Sequence, residues 1–334
     1  MSEFLQSMQM RAKEAPNARI VFPEGNDPRV LDAALKLRED GLGEPIMVHA
    51  KEADTKAMDE AGLTRVQIDE AKAQELEALL MQLRGQKGLA QEDAKKLAHD
   101  PLVYGMYLLR TGEADALVAG AVHPTADVLR AGLWLVDKEP GIQTISSSFY
   151  MVVPPFRGGE KEEVLTFADC GVVPEPTPEQ LADIAIAAAD ARTFVVGDEP
   201  RVAFLSFSTK QSGGSHPAID RVRDAIKIAR ERRPDITIAE DEMQADAALI
   251  SSIGERKAPG DAVAGKANVL VFPSLDAANI AYKLVEKIVP GAHAIGPVLH
   301  GLSKPVHDLS RGARAEDIAH SATIAAVRTQ KGSE

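Results

Sequence analysis

A single cysteine, Cys170, is the only thiol in the chain, so no intrachain disulfide can form. That usage suits a reducing compartment, and a cytoplasmic location is expected. Aromatics are scarce too: one Trp, four Tyr and nine Phe in 334 residues. The core must therefore be aliphatic and Ala-rich, and a base-stacking platform for nucleic acid is disfavoured. Cationic residues are outnumbered 50 to 38 by acids, and the formal charge of −12 also counts against a general DNA or RNA binder. Small anionic ligands stay compatible, provided that local Arg or Lys overcomes the overall field. No apolar run approaches the ~18 residues of a membrane span, and the N-terminus shows no apolar signal segment. No membrane partner is expected.

Familiar site motifs are missing as well. No G-x-G-x-x-G follows an early strand, so a dinucleotide site is unsupported. No H-E-x-x-H or cysteine cluster argues for zinc, and no metal is expected. Gly260, Gly265 and Lys266 have P-loop spacing, but Ala267 stands where Ser or Thr would hold Mg²⁺, and a strand follows rather than precedes. His307, Asp308 and Ser310 lie close together, yet no G-x-S-x-G elbow surrounds the serine. Three such residues in one short turn read as a polar approach to a helix.

What is present is an alternation of strands and helices. A length of 334 residues suggests about two domains at ~150 residues each. Phe4, Leu5, Met8 and Ala12 mark an opening amphipathic helix. Strands are expected at 18–22, 45–49 and 116–119, with helices at about 30–40 and from 125, and a long charged helical region at 53–98 broken at Arg84–Gly88. Asp100-Pro101 is a helix start, with an N-cap acid before Pro at N1. After a boundary near 138–141, strands are expected at 142–153, 201–207, 236–239 and 268–272. The loop 157–163 reads as charged and exposed. Helices are expected from Pro178 to about Ala191, from about Ala218, and at 277–289. This order implies right-handed βαβ crossovers and mainly parallel sheets: an α/β protein of two α/β domains.

Two stretches carry chemistry. Between 208 and 215 a strand feeds a loop rich in Ser and Gly, which suits phosphate binding by backbone N–H groups and equally suits an ordinary solvated connection. Near the C-terminus, AIGPVLHGLSKPVHDLSRGARAEDIA (294–319) passes from an apolar run through Gly and Pro to a polar turn, then to a helix near Ala315. Arg311 can fork onto a phosphate or oxyanion, Ser310 supplies a hydroxyl, and Asp317 can act as a general base. The same residues also serve as ordinary helix caps. Arg84 and Arg130 are single cations, one in a Gly-flanked loop and one on a helix after a strand.

The blocks ADALVAGAVHPTADVLR (114–130), FADCGVVPEPTPEQLADIA (167–185), PRVAFLSFSTKQSGG (200–214), KAPGDAVAGKANVLVFPSLDAANIAYKL (257–284) and AIGPVLHGLSKPVHDLSRG (294–312) occur in an order that resembles the phosphate acetyltransferase family, in its short single-unit form. The resemblance runs from about Ile20 to Ala326. It implies reversible acetyl transfer between acetyl phosphate and coenzyme A, with coenzyme A as substrate and no tightly bound cofactor. It also implies a fold similar to isocitrate/isopropylmalate dehydrogenases, with the active cleft between domains, usually as a homodimer. On that pattern 1–141 joins 294–334 in one domain, and 142–293 forms the other. Ser310, Arg311 and Asp317 match the family's catalytic positions, and Arg84 and Arg130 match arginines associated with coenzyme A. Ser208, Lys266 and Asn268 are further substrate contacts on this reading. Pro124, Ala131, Ala278 and Ala313 depart from common family residues, and none is a proposed catalytic group. Cys170 lies in a matched block, and without an evident His partner it reads as a buried or cleft-lining thiol.

Three alternatives remain open at this point. One is transfer of butyryl or propionyl groups, which pocket width decides. Another is a non-catalytic binding module like the phosphotransacetylase-like tail of some malic enzymes. The last is a metal-dependent decarboxylase drawing on Glu240, Asp241, Glu242 and Asp246.

Overall fold

The computed structural model describes residues 2–14, 17–49, 56–60, 62–140 and 142–330, with the side chain of Ala57 excepted. Its strands, in chain order, are β1 (Arg19–Phe22), β2 (Glu44–His49), β3 (Thr64–Gln67), β4 (Ala116–Ala119), β5 (Ser146–Val153), β6 (Glu163–Ala168), β7 (Arg201–Phe204), β8 (Thr237–Ile238), β9 (Val269–Val271), β10 (His293–His300) and β11 (Val306–Asp308). The chain divides into two compact units. The first is Leu5–Pro140 with Leu302–Glu334, and the second is Met1–Phe4 with Gly141–Gly301.

In the first unit the strand order is β3-β2-β1-β4-β11, and every pairing is parallel. β4 is Ala-Leu-Val-Ala with all four residues buried, the continuous apolar run of a strand covered on both faces. Helix Pro28–Glu39 begins on Asp27, whose carboxylate accepts the Arg29 N–H, with Pro at N1. Helix Pro101–Thr111 starts the same way on Asp100 and stops at Gly112 in the left-handed region, φ 79°. The last helix, Ala315–Arg328, buries Ile318, Ala322, Ile324 and Ala325, packing on helix Pro28–Glu39 and on β4. Its small residues allow close approach to the sheet, and truncating a buried Ile there would cost ~2–5 kcal/mol.

The second unit is mixed. Its order is β10-β5-β6-β9-β7-β8, antiparallel at β10–β5 and β5–β6 and parallel beyond. One apolar cluster includes Phe149, Met151, Leu270 and Tyr282. Another gathers the Ala-rich helix Pro178–Val195 with Val202, Ile226 and Val269. That helix opens on a reciprocal cap between Thr177 and Gln180.

Three expectations change. The charged region at 53–98 is not helical throughout, because Thr64–Gln67 forms β3 against β2; residues 53–55 lie outside those described. Three of its four residues are exposed, so the strand leaves little apolar alternation to read. The run 294–301 was expected with the first unit, but 293–300 pairs antiparallel with β5 of the second. The loop 157–163 is exposed at 158–161 as expected, but Arg157 is half-buried, held by Glu163 at 3.0 Å and by the Ala267 carbonyl at 2.7 Å.

Candidate active site

The polar turn after β11 is built by the first unit alone. β11 runs beside β4 with Asp308 opposite Ala119, so both strands end at the same level. Gly120 follows β4 with φ 109°, and a Cβ there would sit 2.4 Å from Asp308 Oδ1. Only glycine fits. Beyond Leu309 the chain turns over Ser310–Ala313: the Ala313 N–H bonds Ser310 O at 2.8 Å, and the Gly312 N–H bonds Ser310 Oγ at 3.3 Å. Ser310 and Arg311 are exposed. Asp317 then caps its own helix, accepting the Arg314 N–H at 3.0 Å and the Arg314 guanidinium at 3.1 Å. Burial pushes this carboxyl up, but the two Arg314 contacts outweigh it and leave its pKa below the ordinary value.

Two residues that sequence patterns did not single out hold this turn. The Arg29 guanidinium donates to the carbonyls of Arg311 and Ala313, both at 2.9 Å, and to that of Ala121 at 3.0 Å. Asp27 fixes the same guanidinium at 2.7 Å. A planar fork is suited to this many simultaneous acceptors, and a lysine ammonium is not. Glu24 is buried and collects the N–H groups of Gly120, Ala121, Val122 and His123 at 2.8–3.0 Å, with His123 Nδ1 at 2.8 Å. Burial raises its pKa, yet these donors win and hold it ionised below the ordinary range. The same contact raises the pKa of His123. An internal carboxylate thus fills the loop after β4 and sets its shape.

Asp308 is the buried acid beside this turn. The Thr125 hydroxyl donates to Oδ2 at 2.6 Å, whereas Oδ1 is buried with no hydrogen-bond partner among the described residues. Burial, only partly offset by Thr125, pushes its pKa up to about 7. His307 faces away from Ser310: it is fully buried, with Nδ1 at 3.1 Å from Ser321 Oγ and Nε2 at 3.2 Å from Arg328. No serine triad forms there.

Arg84 and Arg130 are brought together on one aromatic ring. Their guanidinium carbons lie 5.1 Å and 6.0 Å from the centroid of Trp134. Arg84 also donates to Leu133 O at 3.0 Å, and Arg130 pairs with Asp127 at 2.8 Å.

The second unit commits its candidates elsewhere. The Ser208 hydroxyl is fully buried, donating to Glu242 at 2.7 Å and accepting the Gly213 N–H at 2.9 Å. Asn268 ties β9 to the start of β7, accepting the Arg201 N–H at 2.7 Å and donating to Glu199 O at 2.9 Å. Both side chains are hydrogen-bonded within the protein. Lys266 is exposed. The acidic group proposed for a decarboxylase is dispersed onto cations: Glu242 binds Arg223 at 2.8 Å and Asp246 binds Lys257 at 2.8 Å. Cys170 is buried, and burial drives its thiol pKa well up, so a nucleophilic thiolate is suppressed.

Residues 3–326 match the model of a family described as phosphate acetyl/butaryl transferase. The chain belongs to that family. It is 41% identical over 330 residues to a phosphate acetyltransferase of Thermoanaerobacterium thermosaccharolyticum, covering 98% of this chain and 99% of that one. The fold superposes on a phosphotransacetylase crystal structure from Streptococcus pyogenes with a TM-score of 0.87 and 38% identity, over 99% of this chain and 100% of that one. A phosphotransacetylase from Staphylococcus aureus follows with a TM-score of 0.80 and 34% identity, over 97% and 99% of the two chains. As a member of this transferase family, the protein is an enzyme that transfers an acetyl group reversibly between acetyl phosphate and coenzyme A. Among the described residues, no helix is long and apolar enough to cross a membrane.

Proposed function

We propose that the turn Ser310–Arg311 and the carboxylate of Asp317 carry out this transfer by direct attack of the coenzyme A thiol sulfur on acetyl phosphate in a ternary complex. The observation that supports this most is the exposure of Ser310 and Arg311 on a turn whose backbone is pinned by Arg29. The S–C bond forms as the C–O bond to phosphate breaks, the thiol proton passes to Asp317, and phosphate leaves with the C–O electron pair. A thiol of pKa ~8.5 is only slightly ionised at neutral pH, so a base at hand raises the reactive fraction. The contacts that keep Asp317 ionised also lower its basicity. Kept ionised, Asp317 accepts the proton as the attacking thiolate forms. Arg311 neutralises the oxyanion or departing phosphate, and Ser310 hydrogen-bonds the thiol or carbonyl.

Coenzyme A acts as a substrate and not as a resident group, with its phosphates on Arg84 and Arg130. In the second unit Lys266 is exposed, which leaves its ammonium accessible to an anionic group. A homodimer is supported by Ile280, Leu284 and Ile288, which stand exposed at four-residue spacing on helix Leu275–Ile288. A cytoplasmic setting is supported by the lone buried thiol. Initial rates over a grid of both substrates test the chemical scheme. Intersecting double-reciprocal lines are expected, and parallel lines would reveal a covalent acyl-enzyme and overturn direct attack. Light scattering on the wild type and on Leu284→Lys tests the dimer.

A further inference from the structure

The convergence of two guanidiniums on one indole goes beyond holding phosphates. Trp134 is the only tryptophan in the protein, and it sits on the helix Thr125–Leu135 that also carries Arg130. Arg84 reaches the same ring from the end of helix Glu70–Arg84. Two like charges brought to one place repel unless something between them is attractive, and the negative face of an indole is attractive to a cation within ~6 Å. One carboxylate, Asp127, pairs with Arg130, while Arg84 has no ion-pair partner among the described residues. The buried Nε of Arg84 also lacks a hydrogen-bond partner among the described residues. The site therefore keeps net positive charge beside a partly exposed aromatic ring. Next to the ring, the Leu133 side chain is 41% exposed. Cations, a π-face and adjoining apolar surface together match a phosphorylated purine nucleoside better than a simple phosphate.

We propose that Trp134 is a binding residue for the nucleotide end of coenzyme A, gathering Arg84 and Arg130 into one anion-accepting pair and offering its ring to the adenosine. This rests on the placement of coenzyme A phosphates at those two arginines. Trp134 acts on binding and not on the reacting atoms, so its loss separates KM from kcat.

The single tryptophan makes the test direct. Its fluorescence is followed while the wild-type enzyme is titrated with coenzyme A, 3′-dephospho-coenzyme A or 4′-phosphopantetheine. Coenzyme A is expected to change the emission saturably, and phosphopantetheine to leave it unaltered. In parallel, Trp134→Leu is expected to raise KM for coenzyme A by about tenfold, more than it lowers kcat, with the acetyl phosphate KM moving less. Trp134→Phe should recover most of the loss, and thermal melts of each variant confirm folding. An unchanged emission at saturating coenzyme A, or a folded Trp134→Leu enzyme with the wild-type coenzyme A KM, would overturn the proposal. Arg84→Ala and Arg130→Ala tell the two failures apart. If they raise that KM while Trp134→Leu does not, only the role of Trp134 falls. If neither raises it, the placement of coenzyme A at the arginines falls as well.

Discussion

The loop after β4 and the loop after β7 solve the same problem with opposite consequences. Each follows a buried parallel strand, and each is organised by a buried glutamate that arrives from elsewhere in the chain. Glu24 takes four consecutive N–H groups from Gly120 to His123. Glu242 takes the Gln211 N–H at 2.9 Å and the Ser208 hydroxyl, with Arg223 beside it. Both carboxylates stay ionised below their usual range because these donors outweigh the cost of burial. In the first loop the order passes outward: Ala121 shares Arg29 with the turn at 311–313, whose Ser310 and Arg311 side chains remain exposed. In the second, the order closes on itself and engages the Ser208 hydroxyl. A Ser- and Gly-rich loop advertises donors, and a distant acid decides who receives them.

Replacing each glutamate breaks the comparison most severely. Glu24→Ala and Glu242→Ala should each destabilise the protein by about 3–5 kcal/mol, because buried donors and, for Glu242, the Arg223 charge lose their partner. Only Glu24→Ala should also lower kcat, by about tenfold or more in the fraction that folds. Urea melts and active-site-normalised rates on both variants check this. Equal catalytic losses would mean that the two loops are not distinct.

Arg29→Lys sharpens the account of how order reaches the turn. The ammonium keeps the charge but cannot serve three carbonyls and Asp27 in one plane, so kcat should fall about tenfold at a stability cost of roughly 1–2 kcal/mol. An unaltered kcat would remove Arg29 from positioning the turn.

Asp308→Asn addresses the pH dependence of the same region. The folded carboxyl titrates near 7, above the unfolded value of 3.8, so the native state holds a proton that the unfolded chain has released. Stability from this group is complete below about pH 4 and is lost as pH rises through 7. Asparagine removes that slope, and melting temperatures at pH 5 and pH 8 should therefore lie closer together for the variant than for the wild type. An unchanged gap would show that Asp308 does not titrate there. The smallest effect is expected for Ser208→Ala, about 1–2 kcal/mol of stability with kcat within twofold.

Much of the fold was readable in the chain because its elements carry their own signals. Asp27-Pro28 and Asp100-Pro101 announce helix starts, and Ala116–Ala119 is apolar throughout. The turn at 310–312 and the helix after it were readable for the same reason. β3 was not, since three exposed residues in four leave no pattern. Nor was the pairing of 293–300 with β5, which depends on a partner about 150 residues away. The site divides in the same manner. Ser310, Arg311 and Asp317 lie within one local run, but the Arg29 guanidinium meets Arg311 across 282 residues and Glu24 meets its loop across 96 or more. No period in a sequence encodes such contacts. Asn268 and Ser208 were readable as polar residues near strands, but not as already satisfied ones.

The central claim is that Asp317 is the base on a turn whose geometry the first unit has already set. Asparagine at 317 keeps an oxygen for the Arg314 N–H, so the cap survives while the proton acceptor is lost. The decisive measurement is kcat for thioester formation from acetyl phosphate and coenzyme A by Asp317→Asn, followed by ultraviolet absorbance. A fall of about 10²-fold or more, with both KM values moving only a few-fold, is the expected result. A folded variant that turns over within about threefold of the wild type would contradict the assignment and move the proton to another acceptor.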